Sequence, residues 1–199
     1  MSNKIGVYFS EIPNVHMYIY DTMDMLENNF VANNIDKLPP FRREKCMRYR
    51  QESDKRNSII AYLLLERGLK EQYGVTTPIS FIYNRHGKPY LQEYPHIFFN
   101  ISHCKLGVVC VLSDVEIGVD IQDIRPFNIK VAQRVCTKDE LQHLKDSNLP
   151  AKLFCRMWAT KESYAKAKGI GIANMLKQDI PQVGFWFKEN EHYCVVVFL

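Results

Sequence analysis

One alternation of apolar and polar residues is broken by an acid. Across residues 115–126, "VEIGVDIQDIRP", Ile117, Val119 and Ile121 alternate with Gly118, Asp120 and Gln122. A period of two puts the apolar set on one face of a strand and the polar set on the other. Further strands are predicted elsewhere. "KIGVYFSEI" opens the chain as one, and "ISFIYNRHGKPYL" reads as a strand, a turn at His86-Gly87 and the start of another. "IFFNISHCKLGVVCVLS" is a hairpin turning around His103 to Lys105 and returning along Gly107 to Leu112. "QVGFWFKENEHYCVVVFL" is a second hairpin, turning at Glu189 to Glu191.

Helical periodicity fills the space between. From Pro39 to Gly74 the chain is rich in helix formers, basic at first and apolar from Ile59 to Leu69. This predicts one long helix, or two with a break near Ser53. "NIKVAQRVCTKDELQHLKDS" supplies helical or mixed segments, and "LPAKLFCRMWATKESYAKAKGIG" a helix entered at Pro150 and left at Gly169. Strands around a long helix thus occur twice. The expected fold class is α+β, in two similar, pseudo-duplicated halves with negligible residue identity, 1–113 and 114–199.

At about 100° per residue, Leu153, Phe154, Met157, Trp158, Tyr164 and Ala165 share one broad arc of the second helix, expected to face the core. Lys161 falls within that arc, and Glu162 and Lys166 lie side by side at its edge. As a surface i,i+4 pair the latter two contribute only about a few tenths of a kcal/mol. Lys161 points to something more, because an ammonium on a packed face needs a partner or a polar cleft. A carboxylate on this helix and another on a nearby strand could hold a magnesium ion, with the lysines holding phosphates.

Composition narrows the class. The 199 residues are 46% hydrophobic and 24% charged, enough for a buried core in one domain or two closely packed ones. No apolar run is long enough to span a bilayer, and the opening lacks a basic segment followed by a long apolar stretch. Six cysteines are scattered without a C-x-x-C pair, so reduced thiols are expected and a zinc site is not. These features predict a cytoplasmic protein with no membrane contact. A net charge of +4 suits an acidic partner or a phosphorylated ligand. The basic segment Arg42 to Arg56 shows no aromatic-basic groove pattern, so no nucleic-acid partner is expected.

"FNISHCKLGVVCVLSDVEIGVDIQDIRP" followed by "FCRMWATKESYAKAKGIGI" resembles the paired motifs of the Sfp-type 4′-phosphopantetheinyl transferases. These read roughly N-x-S-H-S, then G-[IV]-D-[IV]-E, then W-x-x-K-E-[SA]-[FY]-x-K-x-x-G. The likeness extends upstream to "RREKCMRY" and "HGKPYL", and thins in the first thirty residues and after Gly171. It implies transfer of the phosphopantetheine arm of coenzyme A to a serine of an apo acyl or peptidyl carrier protein, releasing adenosine 3′,5′-bisphosphate. It also implies a monomer of the 4′-phosphopantetheinyl transferase-like fold with its active site between the halves. The N-terminal half would take the adenine and 3′-phosphate, and the C-terminal half the metal and the catalytic helix.

The resemblance assigns roles residue by residue. Asp120 and Glu162 would bind Mg²⁺, or Mn²⁺, and Glu162 would also be the base for the carrier serine. Lys166 would neutralise the leaving diphosphate, and Lys161 would hold the pyrophosphate or position Glu162. Ser102 and His103 would reach the phosphates from the hairpin turn. Arg42 and Lys45, with Arg56 less closely matched, would grip the 3′-phosphate, and Gly87, Lys88 and Pro89 would lie against the adenine and its phosphate. Arg134 and Lys138 would belong to the carrier-docking surface. Gln122 is the main departure, standing where the family often has a third carboxylate. It implies a weak or water-mediated metal contact, with Gly118 leaving room for the ligand. Asp123 should point to the opposite face. Cys104 replaces a serine as a small turn residue, and the extended C-terminal segment of longer relatives is not expected here. The alternative reading is a degenerate relative that binds coenzyme A or a nucleotide without catalysis.

Overall fold

The computed structural model describes residues 6–9 and 14–199, with the side chains of 6–9 left aside. In chain order the elements are β1 (Gly6–Phe9), β2 (Val15–Tyr20), α1 (Phe30–Asn34), α2 (Pro40–Met47), α3 (Glu52–Tyr73), β3 (Phe81–Tyr83), β4 (Pro89–Leu91), β5 (Phe98–His103) and β6 (Val108–Ser113). The second half follows with β7 (Gly118–Asp123), α4 (Ile129–Val135), α5 (Lys138–Asp146), α6 (Pro150–Ala167), β8 (Phe185–Glu189) and β9 (Tyr193–Phe198). The rest of the predicted opening strand, outside β1, lies outside the described residues.

Two antiparallel sheets organise the molecule, one ordered β1-β2-β6-β5 and the other β7-β9-β8, with β3–β4 a separate hairpin. Each sheet carries its long helix on one face and meets the other sheet with its second face. On β6, Cys110 and Leu112 join Ile59, Leu64 and Leu65 of α3, while Val109 and Val111 join Val119, Ile121 and Val195 of the other sheet. Both faces are buried, so "VVCVLS" reads as a continuous apolar run rather than an alternation. The same double burial hides β2 from periodicity. Met17 and Ile19 face the second sheet and Tyr18 and Tyr20 the first helix, so no polar face marks the strand.

Local signals place the helix ends. Pro150 enters α6 at its first turn, and Gly74 leaves α3 in the left-handed conformation at φ 67°. The predicted break falls earlier than Ser53, across Arg48 to Gln51, and Ser53 lies in the first turn of α3.

The face of α6 differs from expectation. Leu153, Phe154, Met157 and Trp158 are half-buried and cover a satellite cluster built on Ala132, Val135 and Leu144 of α4 and α5. Against the sheet, α6 presents small residues: Cys155 and Ala159 meet Cys194 and Val196 of β9. Gly118 explains the need for small residues. A Cβ there would collide with the backbone of Ser163 and Ala167, so this glycine makes room for the helix rather than for a ligand.

Candidate active site

The seam between the sheets runs along β5 and β7, each an edge strand of its own sheet. An unpaired edge exposes backbone donors that need partners. Asn100 on β5 meets this need, its Oδ1 accepting from the Val119 N–H at 3.0 Å. One pleat further on, Ser102 Oγ donates to Asp120 Oδ1 at 2.7 Å.

Asp120 is only 2% exposed, and a buried carboxylate must be compensated. From α6, Lys166 Nζ reaches Asp120 Oδ1 at 2.6 Å and Ser102 Oγ at 2.9 Å. Gln122 lies on the same face, and its Nε2 donates to Asp120 Oδ2 at 2.8 Å. The amide nitrogen is thus the atom turned toward Asp120, which makes Gln122 a support for the carboxylate. The side chain of Glu162, one turn before Lys166, makes no hydrogen bond or ion pair with any described residue. Burial raises its pKa, the Lys166 ammonium opposes that shift, and the Asp120 charge adds to it. No three His, Cys, Asp or Glu side chains gather as a metal set among the described residues, so the hard-oxygen donors here are the acids Asp120 and Glu162 with the Gln122 amide beside them.

Cations collect at the other end. Arg42 on α2 stands 5.9 Å from the centre of the Phe81 ring, and Lys45 Nζ 5.9 Å from that of Tyr83. Arg42 reaches Ser58 Oγ at 3.4 Å, but neither it nor Lys45 has a carboxylate partner among the described residues. Burial, then the Arg42 charge, lowers the Lys45 pKa. Arg56 Nε is buried without a partner. Crowded, unneutralised cations are the electrostatic signature of an anion site.

Between these ends, Gly87 turns the β3–β4 hairpin at φ 85°. A cavity of about 120 Å³ is lined by Arg42, Lys45, Tyr83, Gly87 and Pro89. It shares Gly87, Pro89 and Ile101 with a second, of about 240 Å³, which reaches Asn100, Lys166 and Gly169. A third, of about 400 Å³, is lined by Gln122, Asp123, Phe154, Trp158 and Glu162. Lys166 and Glu162, neighbours on one helix, therefore open into different cavities. A larger cavity, about 930 Å³ and lined by Arg43, Glu66, Arg67 and Lys70, holds none of the predicted site residues.

His103 is the last residue of β5 rather than part of the turn, and its ring is exposed. Its Nδ1 lies 3.3 Å from Asn57 Nδ2 of α3. Partial withdrawal from water lowers its pKa, the Lys166 ammonium adds to this, and Asp54 and Asp120 oppose it.

Two predicted phosphate ligands are engaged elsewhere. Lys161 has no exposure, and its Nζ pairs with Glu140 Oε1 at 3.0 Å and donates to Gln178 O at 2.7 Å. It ties α5 and the segment after α6 to that helix, which corrects its assignment to the pyrophosphate or to Glu162. Lys88 is buried in an ion pair with Glu116 and donates to Ala167 O at 2.9 Å and Ile117 O at 3.3 Å. Its ammonium fastens the hairpin to the entry of β7 and the end of α6, while Lys88 still lines the 240 Å³ cavity together with Gly87 and Pro89. Burial, then the hydrogen bond to Asp123, pushes the pKa of the Cys104 thiol up to about 12. Asp123 accepts from the backbone N–H groups of Lys105 and Leu106, a structural task. Asn57 and Asn100 were not foreseen. The N of "NISH" marks Asn100, whereas nothing in the helical pattern around Asn57 distinguishes it.

The cleft between the two α+β units is cationic at one end and carries buried Asp120 and half-buried Glu162 at the other, an arrangement whose charges suit a phosphorylated ligand. Comparison with known proteins agrees with the class and sharpens it. Residues 116–191 match the 4′-phosphopantetheinyl transferase superfamily, and residues 27–115 match its N-terminal region, described as "4′-phosphopantetheinyl transferase, N-terminal". The chain is 30% identical over 195 residues to the 4′-phosphopantetheinyl transferase gsp of Aneurinibacillus migulanus, covering 96% of this chain and 75% of that one. It is 31% identical over 139 residues to the 4′-phosphopantetheinyl transferase Sfp of Bacillus subtilis (strain 168), covering 68% of this chain and 62% of that one. A 4′-phosphopantetheinyl transferase of Bacillus subtilis is 33% identical over 135 residues, and 60% of its length is spanned. This chain belongs to the 4′-phosphopantetheinyl transferase superfamily. Its pseudo-duplicated α/β fold fits that family, and no helix among the described residues is long and apolar enough to cross a membrane.

Proposed function

We propose that this protein transfers the 4′-phosphopantetheine group of coenzyme A to a serine of an apo acyl or peptidyl carrier protein. The observation that carries the reading is the seam at Asp120. A buried carboxylate from one half, a serine from the other and a lysine from the catalytic helix converge within hydrogen-bonding distance. Half 1–113 takes the adenine and 3′-phosphate with Arg42, Lys45, Gly87 and Pro89, and half 114–199 supplies the chemistry.

Each residue then has a task. Asp120 and Glu162, with Gln122 beside them, are hard donors that fit Mg²⁺ or Mn²⁺. A divalent cation bound there supplies charge neutralisation for the attacked pyrophosphate, which otherwise repels a nucleophile. Glu162, with its raised pKa and no internal partner, accepts the serine proton. Lys166 and His103 stabilise charge on the pyrophosphate oxygens as the serine oxygen bonds to the pantetheine-bearing phosphorus and the P–O–P anhydride bond to the leaving adenosine 3′,5′-bisphosphate breaks. The cavity lined by Phe154, Trp158 and Glu162 suits the pantetheine arm and the incoming serine. Arg125 lines this cavity, and Lys130, Arg134 and Lys138 are exposed along the segment that follows it, a basic surface that suits an acidic carrier. The protein works as a cytoplasmic monomer.

Incubation with coenzyme A, Mg²⁺ and an apo carrier tests this directly by intact-protein mass spectrometry. A carrier heavier by one phosphopantetheine, and unchanged when its serine is replaced by alanine, supports the proposal. Tight coenzyme A binding with no transfer across a panel of apo carriers would instead identify a binding protein.

A further inference from the structure

Asn57 is 7% exposed on the second turn of α3, yet its amide meets only one polar side chain among the described residues, the ring of His103 46 positions away. Its Oδ1 is buried without a partner. A buried amide with an orphaned oxygen is costly, and such groups are tolerated where they do a job. Nothing about α3 requires an amide there, since its neighbours Ile59 and Ile60 pack as aliphatic core.

We propose that Asn57 is a positioning residue that fixes the tautomer of His103, holding Nδ1 as an acceptor so that Nε2 carries the proton. The inference rests on the reading above, in which His103 faces a phosphate. A neutral imidazole has one N–H and one lone pair, and the partner of one nitrogen decides what the other presents. Here Nδ1 takes the Asn57 N–H, and Nε2 makes no hydrogen bond with a described residue on an exposed ring. Nε2–H is therefore offered to an anion, whereas the opposite tautomer would turn a lone pair against phosphate oxygen. Three charged groups surround the ring from three elements: Asp54 on α3, Lys166 on α6 and Asp120 on β7. The ammonium disfavours a second positive charge and the acids favour one, so the Asn57 hydrogen bond decides which face of a neutral ring meets the ligand.

Long-range ¹H–¹⁵N correlation spectra of the full chain, labelled at the histidine ring nitrogens, read the tautomer without any variant. The expected wild-type pattern is Nε2–H alone for His103, assigned by its loss in His103→Gln. Asn57→Ala should give a mixture of tautomers, raise the KM for coenzyme A and lower kcat/KM about tenfold, the effect of one mis-set hydrogen bond to a charged group. Asn57→Asp should raise the His103 pKa, because a carboxylate at Nδ1 favours the doubly protonated ring, and should keep KM closer to wild type than Asn57→Ala does. A wild-type ring protonated on Nδ1, or a tautomer and KM both untouched in Asn57→Ala, overturns the proposal. Failure of the wild type to transfer phosphopantetheine would sink the functional reading alone, since the ring spectrum is read independently.

Discussion

Lys161 and Lys166 come from one motif, "KESYAK", on one helix, yet they do opposite things. Lys161 is shut away from water in a pair with Glu140, joining α5 to α6. Lys166 remains partly exposed, with its ammonium on Asp120 Oδ1 and one side open to the cavity bounded by Gly87, Asn100 and Gly169. Five residues along an α-helix turn the side chain through about 500°, or 140° after a full turn, so the two cannot share a partner. The lesson is that a basic residue inside a catalytic motif is assigned by what its charge faces, and only the second lysine faces the seam.

Replacement of each lysine separates the two roles. Lys166→Met should lower kcat/KM for transfer at least about a hundredfold, the scale of losing one charge-stabilising group in an active site. Stability should fall as well, because Asp120 keeps only Ser102 and Gln122, but coenzyme A binding should remain measurable by calorimetry. If Lys166→Met transfers at the wild-type rate, Lys166 is structural too and the contrast disappears. Lys161→Met should do the reverse. Breaking its pair leaves Glu140, itself partly exposed, and the Gln178 carbonyl without their cation, a loss of about 2–3 kcal/mol seen by chemical denaturation. At a temperature where the variant is folded, its kcat should match the wild type. A folded Lys161→Met with kcat reduced a hundredfold would restore Lys161 to the phosphate.

The cationic end offers a smaller effect. Arg42→Gln should raise the KM for coenzyme A about tenfold, in line with one lost charge-assisted hydrogen bond. The penalty should shrink when coenzyme A is replaced by a form lacking the 3′-phosphate. An equal penalty with both substrates would move Arg42 away from that group.

What the sequence made legible follows the same division. The strand bearing Asp120, the helix bearing Glu162 and Lys166, and the glycine and proline stops were all readable, because each rests on local periodicity or local turn chemistry. The direction of Lys161 and Lys88 was not, since their partners Glu140 and Glu116 are brought by tertiary packing. Gly118 misled for the same reason: a glycine signals that something approaches, without saying whether it is a ligand or a helix. β2 escaped because both its faces are buried, and Asn57 because one polar residue in a helical pattern carries no period.

β7 repeats the contrast between lysines in its acids, and here the expected effect is smallest. Asp120 faces Lys166, whereas Asp123, three residues on, holds the β5–β6 turn through Lys105 N and Leu106 N at 3.3 Å each and pairs with Arg125 at 3.2 Å. Burial pushes the Asp123 pKa up, but the hydrogen bonds from Cys104, Arg125 and the two N–H groups outweigh it, so the net shift is downward. A carboxyl with its folded pKa below the unfolded value stabilises the fold at any pH above the unfolded value. That contribution is lost as pH falls through the folded one. Asp123→Asn should therefore cost about 1–2 kcal/mol at neutral pH, with little change in kcat. The gap between variant and wild type should narrow on acidification below the ordinary aspartate range. Denaturation curves across that range give the answer. A gap that persists in acid would mean that the asparagine fails for steric reasons, and a gap absent at neutral pH would mean that the turn is held by its backbone alone.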